Sequence, residues 1–323
     1  MAVRVGFIGV GGMAETHLKH MRDNADARIV SVCDVMEERA AKAAGTYDAT
    51  PYTDYKTMLE KETLDALFVC VPPFAHADIE ETAASRGIHL FVEKPVGLGV
   101  AEARSKAEAI RRAGIVTSSG YALRYIGTAE KARAYLEGKT IGMVRGHYLS
   151  GFVETPWWRV MAKSGGQLVE QATHIADFMR YFAGDAATVY ANMATRHLGE
   201  KPGLDIPDVT SVALRFESGA IGHLDTCCIQ PDHRFGVEIQ GHDFRVVYEG
   251  TKLTIVERGN TETFENDVAD IFKAQDDTFI QAILSNDPSL VRSSYADALK
   301  SLELTVAANV SAESGRAVSP AEL

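Results

Sequence analysis

The sequence predicts an α/β fold with a doubly wound parallel sheet, followed by an α+β domain with an open, mostly antiparallel sheet. Three observations predict it. Over the first third of the chain, short β-rich runs alternate with amphipathic helical patterns. A glycine-rich turn joins the first of these runs to the first helical pattern. Beyond about residue 125 the alternation gives way to strands of period two, in which successive residues face opposite sides. The boundary is placed at 122/123, giving domains of 1–122 and 123–323.

A chain of 323 residues is long enough for two cores. Hydrophobic residues at 46% and charged residues at 24% are the ordinary soluble mix. A net charge of -11 argues against a nucleic-acid or anionic-membrane partner. No apolar run approaches the roughly 18 residues of a membrane span. The opening "MAVRVGFIGVGG" reads as a strand and turn, not as a signal peptide. The four cysteines, Cys33, Cys70, Cys227 and Cys228, form no Cys-x-x-Cys pair. They predict no disulfide framework and fit a reducing cytoplasm.

The first strand is "VRVGFIG", Val3 to Gly9. The next residues complete the pattern G-x-G-G-M-A at Gly9, Gly11, Gly12, Met13 and Ala14. Gly9 permits a tight turn, Gly11 lets backbone approach a pyrophosphate, and Ala14 keeps helix close to strand. The N–H groups at the helix start then face the anion. A second strand, "ARIVSVCD", ends in Asp34, 22 positions after Gly12. An acidic residue there accepts from a ribose 2′-OH and repels a 2′-phosphate. No Arg follows at 35 or 36, so NAD is favoured over NADP. The competing role for Asp34 is a cap on the helix "VMEERAAKAA".

Strands "DALFVCV", "IHLFVE" and "IVTSSG" follow, with helices between them. Ligands of such sheets sit beyond the carboxyl ends of the strands. Those ends carry "VPPFAH" (Val71, Pro72 and His76 among them), "EKP" (Glu93, Lys94, Pro95) and "GYALRY" with Arg124. Lys94 is either a mobile donor of tunable pKa at the ligand edge or one half of a solvated pair.

In the second part, "GMVRGHYLSG" reads as a strand. "VTSVALRFESGAIGHLDTCC" reads as a hairpin turning at Ser218-Gly219, and "RFGVEIQG", "FRVVYE" and "KLTIVE" extend the sheet. One sheet face is packed and the other is free to meet a partner. Two long helices near 268–285 and 294–314 close the chain. The stretch "GGQLVEQATHIAD" is read as one helix, with Glu170, His174 and Asp177 in a stripe opposite Leu168, Ile175 and Met179. That stripe could face water, bind a metal, or line a cleft and move protons.

"GVGGMA", Asp34, "VPPFAH", "EKP" and "GGQLVEQATHIAD", in this order and spacing, resemble the glucose–fructose oxidoreductase / inositol dehydrogenase (Gfo/Idh/MocA) family over essentially the whole chain. The resemblance implies a Rossmann domain binding NAD, an open-sheet domain, and a homodimer or homotetramer assembled through that sheet. It implies hydride transfer with a sugar, cyclitol or related substrate. Lys94 matches the family's catalytic Lys and His174 its catalytic His. Glu170 stands where the family most often has Asp. On this reading the stripe is an acid/base face and no metal is required. Trp158, Arg159, Lys163 and Arg124 are candidate substrate contacts. The alternatives on the same scaffold are a glycosidase using transient oxidation by NAD, an imine or diene reductase, and a non-catalytic dinucleotide-binding regulator.

Overall fold

The protein is described by a computed structural model covering residues 2–323. It has two compact units. One comprises the chain up to Gly97, Glu102–Tyr125 and Asp270–Ala298; the other comprises Leu98–Ala101, Ile126–Ala269 and Leu299–Leu323. The division is therefore not a single cut at 122/123, because the chain re-enters its first unit near the end.

The first unit contains β1 (Val3–Ile8), α1 (Gly12–Asp23), β2 (Ala27–Cys33), α2 (Glu37–Tyr47), β3 (Thr50–Tyr52), α3 (Tyr55–Lys61), β4 (Ala66–Val69), α4 (Ile79–Ser85), β5 (His89–Val92), α5 (Val100–Ala113, whose first residues count with the other unit) and β6 (Thr117–Ser119). The strands pair in parallel in the order β3-β2-β1-β4-β5-β6. Strands covered on both faces have continuous apolar runs, as in the ALFV of β4. The sequence reading lacks β3. Its three residues include Pro51, which has no N–H to give a sheet, and the strand lies at the edge where that loss is tolerated.

The second unit contains α6 (Ala129–Leu136), β7 (Ile141–Leu149), α7 (Met161–Ser164), α8 (Gly166–Glu170), α9 (Thr173–Ala183), β8 (Ala186–Ala194), β9 (Val209–Phe216), β10 (Ile221–Cys227), β11 (Arg234–Gly241), β12 (Phe244–Glu249), β13 (Lys252–Glu257) and β14 (Asn260–Phe264). Its strand order is β14-β13-β12-β11-β7-β10-β9-β8. The pairs are antiparallel except β7 with β10. The expected hairpin is β9–β10. Helix α9 lies so close to β7 that a Cβ on Gly146 would come within 2.6 Å of the Met179 sulfur and 2.8 Å of Ile175.

Two helices end the chain, α10 (Ile271–Ser285) and α11 (Tyr295–Ser314). Helix α10 belongs to the first unit. Rings on three neighbouring strands explain why. Phe7, Phe68 and Phe91 stack in series with centroids 4.8 and 4.7 Å apart, and Phe279 of α10 packs edge-on to Phe68 and Phe91. Phe279, Ile280 and Ala282 are buried in that core.

A charged network fixes the same helix. The Asp276 carboxylate lies 2.8 Å from His17 Nδ1 and 2.7 Å from His20 Nδ1. His17 Nε2 lies 3.1 Å from Glu93, and His20 Nε2 lies 3.1 Å from Asp270. His17 and Asp276 are fully buried. Burial pushes the His17 imidazole toward its neutral form. The Asp276 and Glu93 carboxylates outweigh it and raise its pKa to about 10. His17 is thus an imidazolium between two carboxylates.

This network makes stability depend on pH. The imidazolium's contribution is complete below about pH 6.5, the ordinary histidine value, and is lost as pH rises through about 10. His17→Gln should cost about 3–5 kcal/mol near neutral pH, the usual loss when one member of a buried ion pair is removed. Urea denaturation from pH 6 to pH 10 should show the gap to wild type narrowing with rising pH. A constant gap would contradict the charged state.

Candidate active site

The nucleotide end of the first unit is built on the turn after β1. Gly9 has φ of +83°, and a Cβ there would sit 2.7 Å from the Cys70 carbonyl oxygen. Only glycine meets both conditions. Gly11 is the N-cap of α1 and makes no side-chain cap. A Cβ on Gly11 or Gly12 would meet nothing within 4 Å, so space lies open over the helix start. The start of α1 therefore has no capping side chain and room above it, as an anion site at a helix N-terminus requires.

Asp34 follows the last residue of β2 and is nearly buried. Its carboxylate accepts from the backbone N–H of Val10 at 3.1 Å and of Met36 at 2.9 Å. It does not cap α2, because Met36 holds the N-cap position. Asp34 instead ties the glycine turn to the tip of β2, with acceptor capacity left over. Met13, Val35, Met36 and Phe74 on the turns at these strand ends are exposed apolar side chains. Open N–H groups, a carboxylate at the second strand and an apolar rim fit a dinucleotide.

Val71 and Pro72 are half-buried beside the short turn Pro73–Ala75. His76, expected at the cofactor, is buried, and its Nδ1 bonds to Glu80. Glu80 also meets Lys106 at 3.1 Å, and Lys106 meets Glu102 at 2.9 Å. Burial pushes the Glu80 carboxyl up, but His76 and Lys106 more than offset that and hold it low. The His76 Nε2 is buried without a hydrogen-bond partner, so one ring nitrogen is left over at this strand end.

Glu93 is also buried. It accepts from the Lys94 backbone N–H at 3.1 Å and contacts the His17 ring. Its carboxylate therefore sets the turn, and Lys94 is the half-buried member of "EKP". Arg124, expected to touch substrate, is 4% exposed. Its guanidinium donates to the Arg292 carbonyl at 2.6 Å and pairs with Asp297 at 2.5 Å. That is a structural post inside the first unit.

In the second unit the single helix over Gly165–Asp177 is two helices. Helix α8 ends at Glu170 and α9 begins at Thr173. They are anchored separately. Buried Gln167 donates to Ser150 Oγ at 3.0 Å and to the Cys227 carbonyl at 2.7 Å, which ties α8 to the ends of β7 and β10. Helix α9 is held over Gly146 instead. Glu170 and His174 flank the junction, both half-buried. Asp177 leaves the expected stripe: it is 1% exposed, accepts from Ser301 Oγ at 2.7 Å and lies 3.6 Å from Arg180.

Trp158, expected to touch substrate, is buried in the protein instead. It is 1% exposed, packs with Ile206 and Cys228, and donates from Nε1 to Glu170 Oε2 at 2.9 Å. Arg159 is half-buried and donates to the Glu154 and Pro202 carbonyls. Lys163 is exposed on α7. The sequence reading missed His17, Asp276 and the Trp158–Glu170 bond. Two histidines spaced by three on α1 are a local sign of the first, but their partner lies more than 250 residues away. His17, His20 and Asp276 also have metal-like proximity. Their N···O separations, 2.8 Å from His17 and 2.7 Å from His20, are those of hydrogen bonds.

A family model described as an oxidoreductase family with an NAD-binding Rossmann fold matches residues 3–121, and the GFO/IDH/MocA C-terminal domain matches 130–255. The chain belongs to the GFO/IDH/MocA oxidoreductase family. As a member of that family it is an NAD-dependent oxidoreductase. Myo-inositol 2-dehydrogenase of Thermotoga maritima is 26% identical, with 98% of each chain covered. Scyllo-inositol 2-dehydrogenase (NAD(+)) of Bacillus subtilis is 26% identical over 78% of this chain and 73% of its own. The fold matches that of a levoglucosan dehydrogenase solved with NADH, with a TM-score of 0.88 at 21% identity and 99% of each chain covered. Among the described residues, no helix is long and apolar enough to cross a membrane.

The placement of Asp34 predicts cofactor choice in this family member. A second negative charge beside the Asp34 carboxylate is unfavourable, so NADP should bind more weakly than NAD. Asp34→Ser should weaken NAD and relieve NADP, as read by titrating each cofactor against intrinsic fluorescence. Wild-type affinity for NADP equal to that for NAD would refute this role.

Proposed function

We propose that the protein transfers a hydride between NAD(H) and a secondary alcohol or ketone of a sugar, a cyclitol or a derivative of one. What carries this reading is the set of ionisable side chains the chain keeps. Lys94 follows β5, and Glu170 and His174 flank the α8–α9 junction, all half-buried. Support comes from relatives named inositol dehydrogenases, one of them aligned over nearly its full length.

NAD, when bound, supplies the hydride acceptor or donor, and Gly9, Gly11, Gly12, Met13 and Asp34 would hold it. The chain's own groups handle the proton and the developing charge. The His174 imidazole takes the hydroxyl proton, since imidazole is the side chain suited to proton exchange near neutrality. The Lys94 ammonium donates to the same oxygen and stabilises its negative charge. The Glu170 carboxylate supports the imidazolium that results. Aligning the hydroxyl between donor and acceptor needs a pocket that recognises neighbouring hydroxyls, which fits a polyol.

A panel of myo-inositol, scyllo-inositol, levoglucosan, glucose and L-sorbose, read at the NADH absorbance with either NAD or NADH, tests the reaction. His174→Ala should lower turnover by about 10²–10⁴-fold, the usual range for an acid–base group. Lys94→Ala should be comparably severe. The double variant should lose less than the product of the two, because both act on one oxygen. His174→Ala with wild-type turnover would remove the assignment.

We also propose a homodimer or homotetramer assembled through the eight-stranded sheet. Its outer face differs from a plain apolar surface. Exposed Ile221 and Tyr190 share that face with exposed Arg145, Arg215 and Arg245 and with the carboxylates of Asp225 and Glu238. A charged face of this kind matches a copy of itself through paired charges and shape. Light scattering over a concentration series should give a dimer or tetramer, with dissociation promoted by salt; a monomer throughout would exclude the assembly.

A further inference from the structure

We propose that Trp158 is a positioning residue whose indole N–H fixes the Glu170 carboxylate, and that the length of the Glu170 side chain is required for this. The proposal rests on the role given to Glu170 above. The geometry itself is independent of that role.

An indole offers one polar atom, a donor. A buried donor needs an acceptor, and leaving it without one is costly. Trp158 is 1% exposed, and its Nε1 lies 2.9 Å from Glu170 Oε2. The ring has little freedom. It packs with Ile206 and Cys228, and Phe152 stands edge-on to it with centroids 5.6 Å apart.

The wall that holds the ring is itself clamped. The buried Asp208 carboxylate accepts from the backbone N–H groups of Arg196, His197 and Leu198. Burial pushes this carboxyl up, and those donors hold it below its ordinary value. The Asp208 carbonyl in turn accepts from the Cys228 N–H at 3.1 Å. Ile206 and Leu198 of this small core are thus closed into a loop pinned to Cys228. The indole N–H is a fixed post.

Glu170 is the last residue of a five-residue helix, where backbone alone fixes a long side chain poorly. The post selects one arrangement of its three side-chain torsions. An Asp at this position would end about 1.5 Å shorter, one C–C bond. It would leave the indole beyond hydrogen-bond reach from the same backbone. A Gln would keep the reach and the acceptor oxygen while losing the charge.

The experiment uses the full-length protein with Trp158→Phe, Glu170→Asp, the combination of both, and Glu170→Gln. The chain has two tryptophans, so its indole ¹⁵N–¹H spectrum has two signals to assign. Glu170→Asp should move the Trp158 signal to the position of an indole without an acceptor and leave that of Trp157 in place; Glu170→Gln should keep it hydrogen-bonded. Kinetics use NAD and the polyol turned over fastest in the panel above. Trp158→Phe and Glu170→Asp should each lower kcat about tenfold or more, the worth of a hydrogen bond to a charged group, with NAD affinity unchanged. The double variant should fall no further than the worse single one. If Trp158→Phe does not fold, Glu170→Asp carries both measurements with the indole intact.

An unmoved Trp158 signal in Glu170→Asp overturns the proposal. So does a lower melting temperature with wild-type kcat in Trp158→Phe or Glu170→Asp, since the bond would then serve only the fold. Wild-type turnover in Glu170→Gln, His174→Ala and Lys94→Ala together would instead overturn the dehydrogenase site, while the signal shift would still stand for the bond.

Discussion

The constraint on which the first unit depends is a single imidazolium, His17, enclosed between Glu93 and Asp276. Each of these groups is costly to bury alone, and together they satisfy one another. The arrangement forces three distant segments to meet. Helix α1 brings His17, the turn after β5 brings Glu93, and α10 brings Asp276. Because Glu93 also accepts from the Lys94 N–H, the backbone that carries the lysine is set by a helix about 180 residues further along. The return of α10 to the first unit is therefore part of how that turn is held.

In the second unit the same task is solved by separate anchors. A continuous helix would have locked Glu170 and His174 one turn apart. The break at Gln171–Ala172 lets α8 be tied through Gln167 while α9 packs over Gly146. Each residue then takes its position from its own support. Glu170 gains an indole partner that a residue on an uninterrupted helix need not have.

Much of this was legible in the sequence, for identifiable reasons. Strands buried on both faces announce themselves as apolar runs, and the Gly9 turn as glycines at fixed spacing. The β9–β10 hairpin shows as alternation around Ser218-Gly219. What was not legible depends on partners far away in the chain. The apolar face of α10 reads as a helix, but nothing local says that Phe279 meets rings on β4 and β5. The periodicity of Leu168, Ile175 and Met179 is shared by one helix and by two with a short break, so the break stayed hidden. A three-residue edge strand containing Pro51 has too little pattern to detect.

Burial then sorts the residues that chemistry alone would have grouped. His76, Glu93, Arg124, Trp158 and Asp177 are all polar or amphipathic, and all stand in or near motifs. Each is buried and bonded to a named protein group, with only the His76 Nε2 left over. Their task is to hold. Lys94, Glu170 and His174 keep partial exposure, and the start of α1 keeps open space. A motif such as "EKP" therefore contains two functions in adjacent residues: Glu93 closes inward to fix the turn, and Lys94 remains accessible because its neighbour has taken the buried contact. The departure at Glu170 follows the same logic. Its carboxylate reaches a buried donor, the Trp158 indole N–H, so the wall behind it takes part in placing this side chain.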